Sequence, residues 1–265
     1  MSSYRIASGA ARPSAGADRD HQMIFVMLIL WPFVFLFPYT FNLVGISNDF
    51  DVLYYSYKVY LLDSMAHFHL PLWSPSEACG FPFYSNPFAQ VLYPLNLPLA
   101  FVYRVLGGYT PYAHQLFTIF GLSIFAVGFY LWMRSLSFDR RASLFAALVI
   151  AVSFKMTEIL RFPNAVHSAA WYPWILWSIN SIFNGRDLRR QMFHVALNMF
   201  FVFSLLTGGY LYYAYYSVFL FPPYLLIFFI PALRAAVFGE RGGDRKKALG
   251  LFFLSSLVPL LVCAP

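Results

Sequence analysis

No charged side chain interrupts the run from Met23 to Val44. A helix rises about 1.5 Å per residue, so about 20 apolar residues cross a hydrocarbon core roughly 30 Å thick. Six more long apolar runs follow, at 111–133, 142–157, 165–183, 191–207, 210–233 and 248–265. Within lipid the backbone must satisfy its own hydrogen bonds, and runs of this length do so as helices. The pattern predicts an all-α, polytopic transmembrane helical bundle of about seven spans. Hydrophobic residues make up 60% of the chain and charged ones 11%, where a soluble domain carries roughly a quarter charged. That balance excludes a soluble enzyme, a disordered protein and a nucleic-acid binder.

The segment 92–106 is shorter and carries Pro94, Pro98 and Arg104, and charge decides its place. With 92–106 lying along the membrane surface, residues 1–21 and the loops 134–141, 184–190 and 234–247 share one side. They hold 14 of the 18 Lys and Arg. Basic residues accumulate in cytoplasmic loops. Were 92–106 a full crossing, the Arg134–Arg141 loop would face outward. The expected organisation is a flexible cytoplasmic tail, 1–21, and a transmembrane domain, 22–265, whose large first extracytoplasmic loop is 46–110. No small-residue cleavage site follows the first run, so it reads as an uncleaved anchor. The expected location is the inner (cytoplasmic) membrane, multi-pass, with the amino terminus inside. The net charge of +7 is then an orientation signal rather than a sign of a nucleic-acid partner.

The outer side receives most polar side chains that do not serve topology: Asp49, Asp51, Lys58, Glu158, Arg161, Asn164 and His167. The sequence Ser47-Asn48-Asp49-Phe50-Asp51 holds strong helix-starting residues, and a helix over about 50–66 is expected. Leu53, Tyr57, Tyr60 and Leu61 form one apolar stripe on it, with Asp51, Tyr55 and Lys58 on another face. Two readings of Asp49 and Asp51 stand open. Asp49 caps the helix and Asp51 complements its dipole, or one of them is a catalytic carboxylate beside the membrane, where an idle charge is costly.

Prolines and aromatics then alternate from Leu70 to Pro94, which disfavours a long helix and favours a wrapped loop with rings on the membrane surface. His67 and His69 offer too few ligands for a metal site, and read as an interfacial pair. Cys79 and Cys263 indicate no disulfide framework. Tyr210, Tyr212, Tyr213, Tyr215 and Tyr216 either line a lipid groove or belong to the interfacial aromatic belt, and the belt is the favoured reading.

Asp49, Tyr54-Tyr55, Pro71-Leu72-Trp73-Ser74-Pro75, Gly80-Phe81-Pro82, Asn86-Pro87 and Tyr93-Pro94-Leu95-Asn96 together form a pattern. It resembles the first outer loop of bacterial YfhO-like membrane proteins, a group similar to the GT-C superfamily of polytopic glycosyltransferases. Asn164 and His167 followed by Ala170-Trp171-Tyr172-Pro173-Trp174 resemble a second family element. Thr207-Gly208-Gly209-Tyr210 departs from the pattern, since the family's His and Pro are missing there.

The resemblance implies a GT-C-like fold with interfacial helices in the first outer loop, a polyprenyl-phosphate-linked sugar donor, and transfer to an acceptor on the outer face. The acceptor is unidentified: a polysaccharide, a lipid or a protein. It implies Asp49 as base or acceptor-orienting acid, with Asp51 as the alternative. Lys58 and Arg161 would meet the leaving lipid phosphate, and Trp73, Asn164 and His167 would line the substrate site. Some members of the superfamily use a divalent cation such as Mg or Mn. Members are also longer, and the last apolar run ends at Pro265, so the chain reads as the amino-terminal portion of a larger protein. The competing reading is a non-catalytic protein that binds or transports a lipid or lipid-linked saccharide. Inverted repeats and broken helices mark many transporters, and no internal repeat is evident here.

Overall fold

The computed structural model describes residues 15–76, 79–185, 187–238 and 244–263, without the side chains of 15–19 and 21. The first fourteen residues of the expected tail, part of the loop 234–247 and the chain end at Pro265 lie outside the described residues.

The described chain is helical. In order run α1 (Ala15–Phe35), α2 (Phe37–Thr40), a π-helical turn (Phe50–Tyr55), α3 (Ser56–Ala66), α4 (Asn96–Leu106), α5 (Pro111–Ser135), α6 (Arg140–Ala151) and α7 (Phe154–Glu158). Then follow α8 (Pro163–Ala169), α9 (Tyr172–Asn184), α10 (Leu188–Thr207), α11 (Leu211–Phe229), α12 (Pro231–Phe238) and α13 (Arg245–Cys263). Starts follow local chemistry. Thr110 accepts from the Ala113 N–H ahead of Pro111, and Asp139 and Asp187 cap α6 and α10 in the same way.

Four helical stretches are long and apolar enough to cross a membrane: Pro111–Ser135, Arg140–Arg161, Leu211–Phe229 and Arg245–Cys263. The second is interrupted at Val152 and Ser153, between α6 and α7. The other three expected runs are not among these four. The 23–44 run divides at Leu36, where Pro38 follows and cannot donate to the preceding turn. The 165–183 run divides at Ala170–Trp171 into α8 and α9, ahead of Pro173. The run 191–207 lies within one helix, α10, whose first turn carries Arg189 and Arg190.

Helix α5 is central and packs against α1, α6 and α9, while α9, α10 and α13 pack together. Small residues allow the approach: a Cβ at Gly121 would lie 2.8 Å from Val166 Cγ1. Polar side chains tie helices across the bundle. Asn198 accepts from Ser178 and donates to Ser255, and Asn180 donates to Ser135 and accepts from Tyr224. Large apolar side chains such as Phe219, Leu226, Phe253 and Leu257 remain exposed along α11 and α13, as expected of surfaces solvated by lipid.

The loop 46–110 has a core of its own. The stripe read from the sequence is present, with Tyr57 and Leu61 buried and Leu53 and Tyr60 packed beside them against Phe83 and Ala89. Its rings pack tilted or edge-on against one another, so most turn inward where the sequence reading set them on the membrane surface, and Phe68 and Trp73 are among those left exposed. The expected second face is not formed. The π-helical turn winds at a different period from α3, and it leaves Asp51 and Val52 exposed while Lys58 is buried. Asp49 stands at the helix start, but its side chain accepts no capping hydrogen bond.

Candidate functional site

One end of the helical bundle gathers a patch of rings. Tyr54 lies edge-on to Phe88 and Phe162, with centroids 6.0 and 6.4 Å away. Tyr210 lies 6.1 Å from Phe162 and 6.5 Å from Phe88. Burial raises the Tyr54 phenol, and the nearby Tyr210 and Asp49 raise it further, because a phenolate there would add charge beside a carboxylate. Tyr54 stays a neutral donor. Asp49 is exposed at one side of this patch, and among the described residues no hydrogen bond or ion pair engages its carboxylate. Asp51 is also exposed.

Near Tyr210 and Tyr213 stand three charges. Glu158 accepts from Lys155 Nζ and from an Arg161 Nη, each at 2.9 Å. The Arg161 guanidinium lies 4.8 Å from the Phe162 ring centroid. Lys155 and Arg161 both act electrostatically on Tyr210. Two cations share one carboxylate, leaving an exposed group of net charge +1. Phe88 of the ring patch also lines a cleft of about 640 Å3, together with Pro87, Leu211, Tyr212, Tyr215 and Tyr216. The tyrosines expected as a belt thus form one wall of a cleft.

Beneath the patch the chain is held by buried amides. Gln90 donates to the Gly208 carbonyl, and its side-chain carbonyl accepts from Lys58. Lys58 also donates to Asn96 Oδ1 at 2.8 Å, and Asn96 Nδ2 donates to the Gln90 carbonyl at 2.6 Å. Asn164 Nδ2 donates to the Phe88 carbonyl at 2.9 Å. Gly209 fits between these groups with φ +87; a Cβ there would lie 2.6 Å from Asn164 Nδ2 and 2.7 Å from the Pro87 carbonyl. That accounts for the Gly208-Gly209 turn, which carried no role in the sequence reading.

The structure therefore separates the expected site residues. Asp49 and Arg161 flank the same aromatic patch. Asn164 is buried beneath it and binds backbone carbonyls. His167 is fully buried, with Nδ1 3.1 Å from the Tyr93 hydroxyl. Trp171 Nε1 donates to that same hydroxyl, so the Tyr93 proton is free to point at His167. Lys58 is only 3% exposed and faces amide oxygens instead of the surface; burial lowers its ammonium to about 7. Trp73 lies apart on the loop 46–110, exposed, with its indole against Gly80. Among the described residues no group of three or more His, Cys, Asp or Glu is placed to hold a metal ion. Asp49 and Asp51 alone fall well short of the six or so oxygens a hard cation takes. The residues missed in the sequence are Gln90 and, as a partner of Lys58, Asn96; the pair's one signal was its place in a loop too rich in rings to be solvent-facing.

No family model, curated protein or solved structure matches this chain.

Proposed function

We propose that the chain is a membrane glycosyltransferase of the GT-C kind. In this reading it takes a sugar from a polyprenyl-phosphate donor and transfers it to an acceptor on the extracytoplasmic face of the inner membrane. Seven crossings with a cytoplasmic amino terminus put Asp49, Lys155 and Arg161 on that face together. The observation that carries the proposal is their arrangement. A free carboxylate and a shared pair of cations flank one aromatic patch at the mouth of an apolar, tyrosine-walled cleft.

The chemistry follows from the groups. Asp49 accepts the proton of an acceptor hydroxyl, whose oxygen attacks the anomeric carbon. The bond from that carbon to the donor phosphate oxygen breaks, and the electron pair leaves with the phosphate. Arg161 and Lys155 meet the charge that develops there. The polyprenyl chain lies in the cleft against Phe88, Tyr212 and Tyr216, while Tyr54 offers a neutral hydroxyl to the sugar. Lys58, Asn164 and His167 support this mouth from below. No divalent cation is assigned a step, and Asp51 stands as the alternative acid.

One observation favours a second reading, a protein that binds a lipid-linked saccharide without turning it over. No hydrogen bond holds the Asp49 carboxylate among the described residues, and catalytic bases are usually oriented by a partner. Purified protein in nanodiscs, supplied with radiolabelled polyprenyl-phosphate sugar and mixed lipid and saccharide acceptors, separates the two. Labelled product supports transfer. Saturable retention of the label without product supports binding alone, and neither outcome sinks both readings.

A further inference from the structure

The carboxyl ends of α3 and α4 border a second cleft, of about 450 Å3, whose walls include Asp63, His67, Phe68, Tyr103, Arg104 and Gly107. It shares no lining residue with the tyrosine-walled cleft. One helical turn sets Asp63 beside His67, and another sets Tyr103 beside Gly107. Each polar side chain has one bonding position in use and another left over. The Tyr103 hydroxyl donates to Asp63 Oδ1 at 3.0 Å, which leaves Oδ2. His67 Nδ1 donates to the Asp63 carbonyl at 2.9 Å, so the neutral ring keeps Nε2 as an acceptor. Arg104 Nη1 donates to the Ala66 carbonyl at 3.1 Å, and among the described residues no carboxylate pairs with the guanidinium. The charges of Asp63 and Arg104 cancel, so the cleft is neutral and offers both donors and acceptors.

Phe68 is the anomaly in its wall. Helix α3 closes with the His69 N–H on the Ser64 carbonyl at 2.8 Å and the Phe68 N–H on the Met65 carbonyl at 3.0 Å. This pair of bonds places the residue between them in the left-handed region, where glycine is the usual choice. Here it is Phe68, at φ +58. A bulky side chain strains the backbone there, and at 86% exposure its burial does not offset that strain. Among the described residues its one ring contact is the Arg104 guanidinium, 5.1 Å from the centroid. An exposed ring held on a strained backbone at the edge of a cleft points to use by a ligand.

A pyranose sugar matches these features together. Its hydroxyls donate and accept, and neighbouring pairs suit a carboxylate and a planar guanidinium. Its faces of C–H bonds are slightly positive and pack on the negative face of an aromatic ring. It carries no net charge. An acyl chain would leave Asp63 and Arg104 without partners, and a free anion would meet the Asp63 carboxylate.

We propose that this cleft is a saccharide-binding site for a neutral pyranose unit. Phe68 is the stacking platform, Asp63 and Arg104 bind adjacent hydroxyls, and His67 Nε2 accepts from a third. The site needs no transfer chemistry and does not depend on Asp49.

The test is saturation-transfer difference NMR on the full chain in nanodiscs. The probes are methyl glycosides of glucose, galactose, mannose and N-acetylglucosamine, with maltose, cellobiose, lactose and chitobiose. At least one should bind, with its ring C–H protons saturated most strongly. Asp63→Asn should weaken that binding about tenfold, as expected for one lost charge-assisted contact. Phe68→Gly should also weaken it at least about tenfold, yet unfold at or above the wild-type temperature, because glycine suits the left-handed position. A lower unfolding temperature would show that the ring is kept for folding, and would overturn the proposal. Saturation of none of the sugars overturns it, as does binding that survives in Phe68→Gly. Sugar binding lost in Arg161→Gln but kept in Phe68→Gly belongs to the tyrosine-walled cleft. Phosphoethanolamine bound through Phe68 and Asp63 in the absence of any sugar binding marks a lipid-headgroup pocket and overturns it equally.

Discussion

Lys58 donates to Asn96 Oδ1 at 2.8 Å in a pocket where, among the described residues, no carboxylate answers its charge. Amide oxygens stabilise an ammonium less than a carboxylate does, and burial brings the lysine down from near 10.5 to about 7. Between those values the unfolded chain holds a proton that the folded chain lacks. Stability therefore rises with pH from about 7 to 10.5, and below 7 the cost of the buried charge is present in full. The slope is at most about 1.4 kcal/mol per pH unit. Lys58→Met should remove this slope, as read from thermal unfolding of both proteins in nanodiscs at pH 7 to 10. A difference between the two that stays constant with pH would show that Lys58 does not titrate in this range.

Gly209 occupies a left-handed backbone position with no space for a methyl group. Gly209→Ala should cost on the order of 2 kcal/mol or more, since Asn164 and the Pro87 backbone close in from two sides. Gly250, on α13, has nothing within 4 Å of a built Cβ. Gly250→Ala should leave stability unchanged or raise it by up to about 1 kcal/mol. Unfolding midpoints of the two variants measured side by side check the contrast.

The cations beside Tyr210 are restrained by Glu158. Arg161→Gln should weaken binding of polyprenyl phosphate about tenfold, the loss of one charge-assisted contact worth roughly 1.4 kcal/mol. Glu158→Gln should tighten it several-fold by freeing both Lys155 and Arg161. Fluorescent polyprenyl phosphate titrated into each variant at low salt reads both effects, and opposite signs are the expected result.

Much of the local structure was legible in the chain, because it depends on neighbours three or four residues apart. The stripe of Leu53, Tyr57, Tyr60 and Leu61 is an example, and so is the shortness of the helix in 92–106, which runs only from Asn96 to Leu106. The site was legible only in part. Asp49 and Arg161 stand out as charges at span ends, yet Lys58, which looked like another surface cation, is turned inward. Its partners lie 32 and 38 residues away, across a loop whose path no periodicity reveals. Gln90 and Asn96 were missed as its partners for the same reason. The tyrosines after Gly209 were visible, but whether they face lipid or line a cleft depends on Pro87 and Phe88 being brought opposite them.

Asn180 shows the same distance limit within the bundle. It joins α5, α9 and α11 through Ser135 and Tyr224, and Trp132 donates to that Tyr224 hydroxyl at 2.9 Å. Asn180→Ala should destabilise by roughly 1 kcal/mol, in line with polar contacts between membrane helices. A double-mutant cycle with Tyr224→Phe should show coupling, and strict additivity would mean that the two side chains act independently.

The central claim is that an outer-face acid performs sugar transfer. Its most direct measurement is the rate at which purified protein moves a labelled sugar from polyprenyl phosphate to acceptor, in wild type, Asp49→Asn and Asp51→Asn. The account predicts a loss of at least about a hundredfold for Asp49→Asn, with a folded, inserted protein and little change for Asp51→Asn. Transfer at the wild-type rate by both variants would contradict it.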